Sequence, residues 1–212
     1  MINTYSLDQR LYHIGLQLSG VTKIRPNSWI DIETTLHEAT LDVDSDSRIF
    51  SLLCSWVIIH GDYVIIEKLM KLQKNNFSPW LVALAVFASN HGFHQWKRLI
   101  KKLRLDIALV DVELALSAIS IKGEEPNFRK YGFLIPKGSI RARSSDALST
   151  QQLIKKNIQY RNRLLYGASW RSDIISAIQI GLKTPYIIAK TLGCSYEPAH
   201  RIFKEYLLAS SV

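Results

Sequence analysis

"IAKTLGCSYEPAHRIFKEY", Ile188–Tyr206, decides how the end of this chain folds. Thr184-Pro185, just ahead of it, starts a helix. The hydroxyl can accept a free backbone N–H, and a proline in the first turn gives up only an N–H that has no helical partner there. That helix is short and stops at Leu192-Gly193, because glycine takes the left-handed conformation that closes a last turn. Ser195 then caps a second helix, which tolerates Pro198 in its first turn. Two helices joined steeply by a three- or four-residue turn need a small residue at the crossing, a glycine in the turn and apolar residues facing inward. Ala189 is the small residue, Gly193 the turn, and Ile188, Leu192, Cys194, Ala199 and Ile202 form the inner surface.

Upstream, Thr150 is expected to cap a helix running to about Tyr166 and ending at Gly167. Leu153, Ile154, Ile158, Leu164 and Leu165 are available for packing, with Lys155, Lys156, Arg161 and Arg163 on its other faces. Ser169 caps a further helix through Ile180, with Trp170, Ile174, Ile175 and Ile178 as its buried stripe, and Gly181 closes it. Over about Ser169 to Ala209 the chain resembles the helix-turn-helix superfamily in its tri-helical form, on the Ala189-to-Gly193 spacing, the two caps and the inward positions. The resemblance covers the terminal fifth of the chain. It implies double-stranded DNA as partner, with the helix Tyr196–Leu208 in the major groove and its first turns nearest the base edges. By residue type, Arg201 is expected to fork onto guanine and Glu197 to accept from cytosine. Ser195, Tyr196 and Lys204 would hold phosphates, His200 also lies off the packing face, and Arg171, Lys183 and Lys190 would add phosphate contacts. Only a few residues follow Leu208, so no β-wing is expected.

Charge agrees with a polyanionic partner without requiring one. Residues 1–122 hold 13 Lys/Arg against 12 Asp/Glu, and residues 123–212 hold 14 against 6, so nearly all of the net charge of +9 lies in the last 90 residues. A clustered positive field steers a polyanion and releases its counterions. A basic surface that serves only solubility is the competing reading.

The front of the chain reads as helices. Residues 6–19 carry Leu7, Leu11, Ile14 and Leu18 at helical spacing behind a Ser cap; Arg25-Pro26-Asn27 breaks the pattern, and a second helix is expected over 28–40. Three segments then end in Gly61, Gly92 and Gly123, at intervals of 31 residues, and a shift of 31 superposes Leu53 on Leu84, Trp56 on Phe87 and Ile65 on Trp96. The pattern suggests helical hairpins stacked as repeats, with return helices at 62–73 and 93–104; chance likeness among amphipathic helices is the alternative. Residues 124–149 lose the periodicity and gain Pro, Gly, Ser and five cations, which marks a basic linker, with a hairpin at Lys137-Gly138.

Other chemistries find no foothold. Asp42, Asp44 and Asp46 imitate the start of a calcium loop, but Ser47 and Leu53 stand where it needs glycine and glutamate. His60, His91 and His94 lack companions at metal spacing and suit the carbonyls of helix C-termini. No phosphate-cradling loop, dinucleotide fingerprint, nucleophile elbow or zinc-protease motif occurs. The five tryptophans fall at apolar helical positions, and Cys54 and Cys194 read as small buried side chains. No apolar run approaches the roughly 18 residues that span a bilayer, and the first residues lack a secretion signal, so a cytoplasmic protein is expected.

The expectation is therefore an all-α protein: a helical-hairpin bundle at 1–123, a basic linker at 124–149 and a helix-turn-helix unit at 150–212. It would bind specific DNA sequences as a transcriptional regulator, with no catalytic residue, metal or cofactor, and would use its front domain for self-association or a protein partner. The alternatives are a helical adaptor that never meets nucleic acid, and an RNA-binding protein.

Overall fold

In the computed structural model, residues 5–22, 28–104 and 106–210 are described; the expected break at Arg25-Pro26-Asn27 lies outside them. The fold is all-α apart from one pair of two-residue strands. Helix α1 (Leu7–His13) is opened by a capping box between Ser6 and Gln9. It stops well short of the expected Ser19, because the chain turns to bridge Leu16 antiparallel to Ala147. Helix α2 (Ile32–Leu41) is capped by Asp31, whose carboxylate accepts from the Thr34 N–H.

Helices α3 (Arg48–His60) and α5 (Pro79–Asn90) form the centre, and Phe50, Trp56, Trp80 and Leu84 are fully enclosed with Trp96. Each of these tryptophans satisfies its indole N–H inside: Trp56 donates to the Ile14 carbonyl at 2.8 Å, Trp80 to Asp44 at 2.6 Å and Trp96 to the Gly61 carbonyl at 3.0 Å. The acidic stretch at 42–46 thus has structural work, holding Trp80 through Asp44 and the start of α3 through Asp46.

The 31-residue period does not build equivalent hairpins. The first return segment is a helix, α4 (Ile66–Asn75), but the second is a tight 3-10 segment, His94–Leu99, followed by non-helical chain. Gly61 differs from its counterparts too: its φ is −58°, whereas Gly92 and Gly123 have φ of 94° and 78°. A side chain at Gly61 would meet the Phe93 ring at 3.0 Å, so this glycine serves close packing rather than a left-handed cap. The third helix of the series, α6 (Val112–Lys122), buries only Ala115.

The stretch at 124–149 is no linker. Strand β1 (Ile107–Ala108) pairs in parallel with β2 (Phe133–Leu134). The chain does turn at Lys137-Gly138, where the Ser139 N–H donates to the Pro136 carbonyl at 3.1 Å, but Pro136 bridges Glu124 instead of a returning hairpin arm. Phe128, Phe133, Leu134, Ile135 and Ala147 are buried, and all but Leu134 join the main core. The single helix expected after Thr150 is two: α7 (Thr150–Lys156), capped by Ser149, and α8 (Ile158–Tyr166), capped by Asn157, whose φ and ψ of −126° and 110° interrupt the helix. Leu153 and Tyr160 face the front core, which therefore runs on to α8.

A second, smaller core belongs to α9 (Trp170–Gln179), α10 (Pro185–Leu192) and α11 (Tyr196–Ser210). It is made of Ile174, Ile175, Ala177, Ile188, Ala189, Leu192, Ala199 and Ile202. Trp29 from the front half packs against it as well. Among the described residues no helix is long and apolar enough to cross a membrane.

Candidate nucleic-acid interface

The cap and the close anticipated for α10 form as read. The Thr184 hydroxyl accepts from the Ile187 N–H, Pro185 occupies the first turn of α10, and Gly193 closes it with φ 68° and ψ 26°, a left-handed conformation that suits glycine. Gly193, Cys194 and Ser195 make a three-residue turn, and α11 begins at Tyr196. Ala189 lies at the crossing and is buried, as are Ile188, Leu192, Ala199 and Ile202; Cys194 is half-buried. Packing therefore takes one face of α11 and leaves the other open. Ser195, Tyr196, Glu197, Arg201 and Lys204 are exposed and His200 is half-buried, and the Tyr196 and His200 rings stack with centroids 5.6 Å apart.

The expected phosphate contacts divide into two groups. Lys183, Lys190 and Lys204 are exposed and have no acidic partner among the described residues. Arg171 is exposed but engaged, donating to Glu205 at 2.9 Å, and Arg201 lies 3.9 Å from Glu197 one turn earlier. Surface pairs of this kind contribute on the order of 1 kcal/mol or less, so a competing phosphate can displace them. The positive excess is not centred on these helices. Residues 167–212 hold five Lys/Arg against three Asp/Glu, whereas residues 123–166 hold nine against three. Lys71 of α4, which no local pattern marks, donates to the Gly193 carbonyl at 3.0 Å and fastens the turn to the front half.

Behind the three-helix unit lies a buried ionic cluster that sequence reading missed. Arg163, placed on a solvent face by helical periodicity, is fully enclosed. Its Nε and Nη2 donate to the two oxygens of Asp173, each at 2.9 Å. Nη2 also donates to Glu33 Oε2 at 2.8 Å, and Nη1 to Glu33 Oε1 and to the Tyr63 carbonyl. All five guanidinium N–H groups are thereby used, the geometry that makes arginine suited to buried carboxylates. Lys68 of α4 completes the cluster, reaching Asp173 at 2.9 Å, Glu33 at 3.1 Å and Asp31. Glu33 Oε1 additionally accepts the Ile65 N–H at 2.8 Å, just ahead of α4. Helices α2, α4, α8 and α9 thus meet at one point.

The titrations follow from this geometry. Burial alone would raise the Asp173 carboxyl, but Arg163 and Lys68 outweigh it and bring it down to about 2. Burial opposes ionisation of Glu33 as well, and the same two cations hold it below the usual carboxylate range. Burial disfavours the Lys68 ammonium, yet Glu33, Asp31 and Asp173 raise its pKa. The carboxylate oxygens of Asp31, Glu33 and Asp173 lie within 4.8 Å of one another, a spacing that suits a cation. Arg163 and Lys68 supply it. The joint between the halves is therefore ionic and, at Glu33, Arg163 and Asp173, fully buried; Asn162 reinforces it, donating to Ser176 at 2.9 Å and Gln179 at 2.8 Å.

A cavity of about 610 Å³ opens beside this joint, lined by Trp29, Asp31, Lys68, Lys71, Trp170 and Lys190 among others. His60 is buried elsewhere, between the Tyr160 hydroxyl at 2.7 Å and the Leu148 carbonyl at 2.9 Å. A carbonyl only accepts, so Nε2 carries the proton and Nδ1 accepts from the tyrosine. His91 does bond a helix carbonyl, that of Phe87 at 2.9 Å. Comparison of the chain with models of known protein families, with curated proteins and with solved structures finds no match in any of the three.

Proposed function

We propose that the chain binds duplex DNA through α10, the Gly193 turn and α11, and acts as a sequence-specific transcriptional regulator. The observation that carries this reading is the division of α11. Ala199 and Ile202 are spent on packing, while Ser195, Tyr196, Glu197, Arg201 and Lys204 form an uncovered polar face on a helix held by a tight turn. A helix presented in this way fits the major groove, where arginine reads guanine and carboxylates read cytosine. Release of Arg201 from Glu197 would free both groups for base edges.

Three unpaired cations, Lys183, Lys190 and Lys204, suit phosphates. Three phosphate contacts give a salt slope of about −2.7, so affinity for mixed duplex fragments is expected to fall about 40-fold between 50 and 200 mM salt. Fluorescence anisotropy measures this directly. Arg201→Ala should relax sequence preference, whereas Lys190→Ala should weaken binding to all sequences alike. Absence of binding at low salt, or equal binding by both variants and the parent, refutes the reading; preferential competition by structured RNA would move it to that partner.

A further inference from the structure

The cavity of about 610 Å³ between the front half and the last three helices has the size and make-up of a small-molecule site. Its walls are largely aromatic and aliphatic: Tyr5, Trp29 and Trp170 with Leu72, Leu182 and Leu192. Most polar groups there are already engaged. Tyr5 and Ser28 bond one another at 2.9 Å, and Asp31 accepts from the Thr34 N–H at 2.9 Å and pairs with Lys68. Trp29 differs. Its Nε1 is buried without a partner among the described residues, whereas Trp56, Trp80 and Trp96 all satisfy theirs. Native proteins rarely leave a buried donor unmet, and one in a cavity wall is explained by an acceptor that comes from outside the chain.

The uncommitted charge of the cavity is positive. Asp31 is the one carboxylate in the described lining, and Lys68 neutralises it while also holding Glu33 and Asp173. Lys71 of α4 and Lys190 in the last turn of α10 are exposed and have no acidic partner among the described residues. Lys71 donates only to the neutral Gly193 carbonyl.

We propose that this cavity binds a small planar aromatic carboxylate, its rings against Trp29 and Trp170 and its carboxylate towards Lys71 and Lys190. A neutral ring compound would leave both lysines without a counter-charge, and a cation would find Asp31 already paired. A peptide or nucleic-acid strand exceeds the space. The site needs no nucleic acid. Lys190 is also one of the cations assigned to phosphate, so a carboxylate held there excludes a phosphate. Ligand and duplex would then weaken each other's binding by the same factor, a consequence that rests on the DNA reading.

Naphthoate is a probe of this kind, and naphthylmethylammonium matches its shape with the opposite charge. A ligand of that size should bind with Kd on the order of 0.1–1 mM. In two-dimensional N–H spectra of the isotopically labelled full chain without DNA, naphthoate should move the indole signals of Trp29 and Trp170, assigned through Trp29→Phe and Trp170→Phe. Those of Trp56, Trp80 and Trp96 should stay in place. The ammonium probe should bind about tenfold more weakly or worse. Lys71→Gln with Lys190→Gln should remove that preference and keep the fold, because both lysines are exposed. No movement of the Trp29 and Trp170 signals well above the expected Kd, equal binding of the two probes, or a preference that survives in the double variant overturns the proposal. Undiminished duplex affinity with naphthoate bound overturns the competition at Lys190. Naphthoate binding by a chain that ignores duplex DNA supports the site and refutes the DNA reading, so the two failures are told apart.

Discussion

Replacing Arg163 with methionine removes five buried hydrogen bonds and one positive charge while keeping much of the side-chain volume. Asp31, Glu33 and Asp173 would then face Lys68 alone. Two unbalanced negative charges cannot persist where Glu33 and Asp173 are fully buried, so at least one carboxyl must take up a proton on folding. Holding a proton at pH 7 on a group that ordinarily loses it near pH 4 costs about 1.4 kcal/mol per pH unit, or about 4 kcal/mol in all. Urea unfolding at pH 7 should therefore show a loss of about 4 kcal/mol, easing to about 1 kcal/mol at pH 4.5. The sign of the pH dependence is diagnostic. The folded variant carries a proton that its unfolded chain lacks, so its stability falls as pH rises through this window. In the parent, Asp173 titrates at about 2 when folded, below the ordinary 3.8, so its contribution is complete above about pH 4 and is lost as pH falls towards 2. Adding Glu33→Gln and Asp173→Asn to Arg163→Met leaves Lys68 paired with Asp31 and keeps an acceptor for the Ile65 N–H. This triple variant should regain at least half of the loss. A single-variant cost below about 1 kcal/mol, or one that does not change between pH 7 and 4.5, would refute the account of the cluster.

His60 should give the protein a second pH dependence, at milder acidity. Burial lowers it to about 4 from the ordinary 6.5, so the neutral ring's contribution is complete above about pH 6.5 and is lost as pH falls through that value towards 4, by about 3 kcal/mol. Thermal melts of the parent and of His60→Gln from pH 7.5 to 4 should converge at the acid end; parallel curves would rule this out. Gly61 has a helical φ, where alanine would ordinarily stabilise, but the Phe93 ring lies 3.0 Å from the added carbon. Gly61→Ala is therefore expected to cost about 1–3 kcal/mol, and less in a Phe93→Leu background. A gain in stability by urea unfolding would contradict the close approach.

The three last helices were legible because their signals are local. Ser169, Thr184-Pro185 and Gly193 satisfy or release backbone groups within a few residues of themselves, and the inward positions follow from one helical period. Residues 124–149 hid their role for the opposite reason. Phe133 and Leu134 are placed by pairing with Ile107 and Ala108, and Ala147 by Leu16, contacts no local pattern announces. The return segment after Gly92 has the right apolar phase but winds tightly where Trp96 reaches the Gly61 carbonyl. Arg163 shows the limit most plainly. Hydropathy assigns a guanidinium to solvent, and only the convergence of Glu33 and Asp173, distant in the chain, makes its burial favourable.

The four-helix ionic joint also constrains how this chain can change over generations. A lineage that loses the cation at 163 must shed acid at 33 or 173 almost at once, although these positions stand 130 and 10 residues away. Wholly apolar replacement at such a site is often neutral or better, so the barrier lies in the single steps and not in the destination. Positions 33, 68, 163 and 173 should therefore be inherited as a set, switching together or not at all.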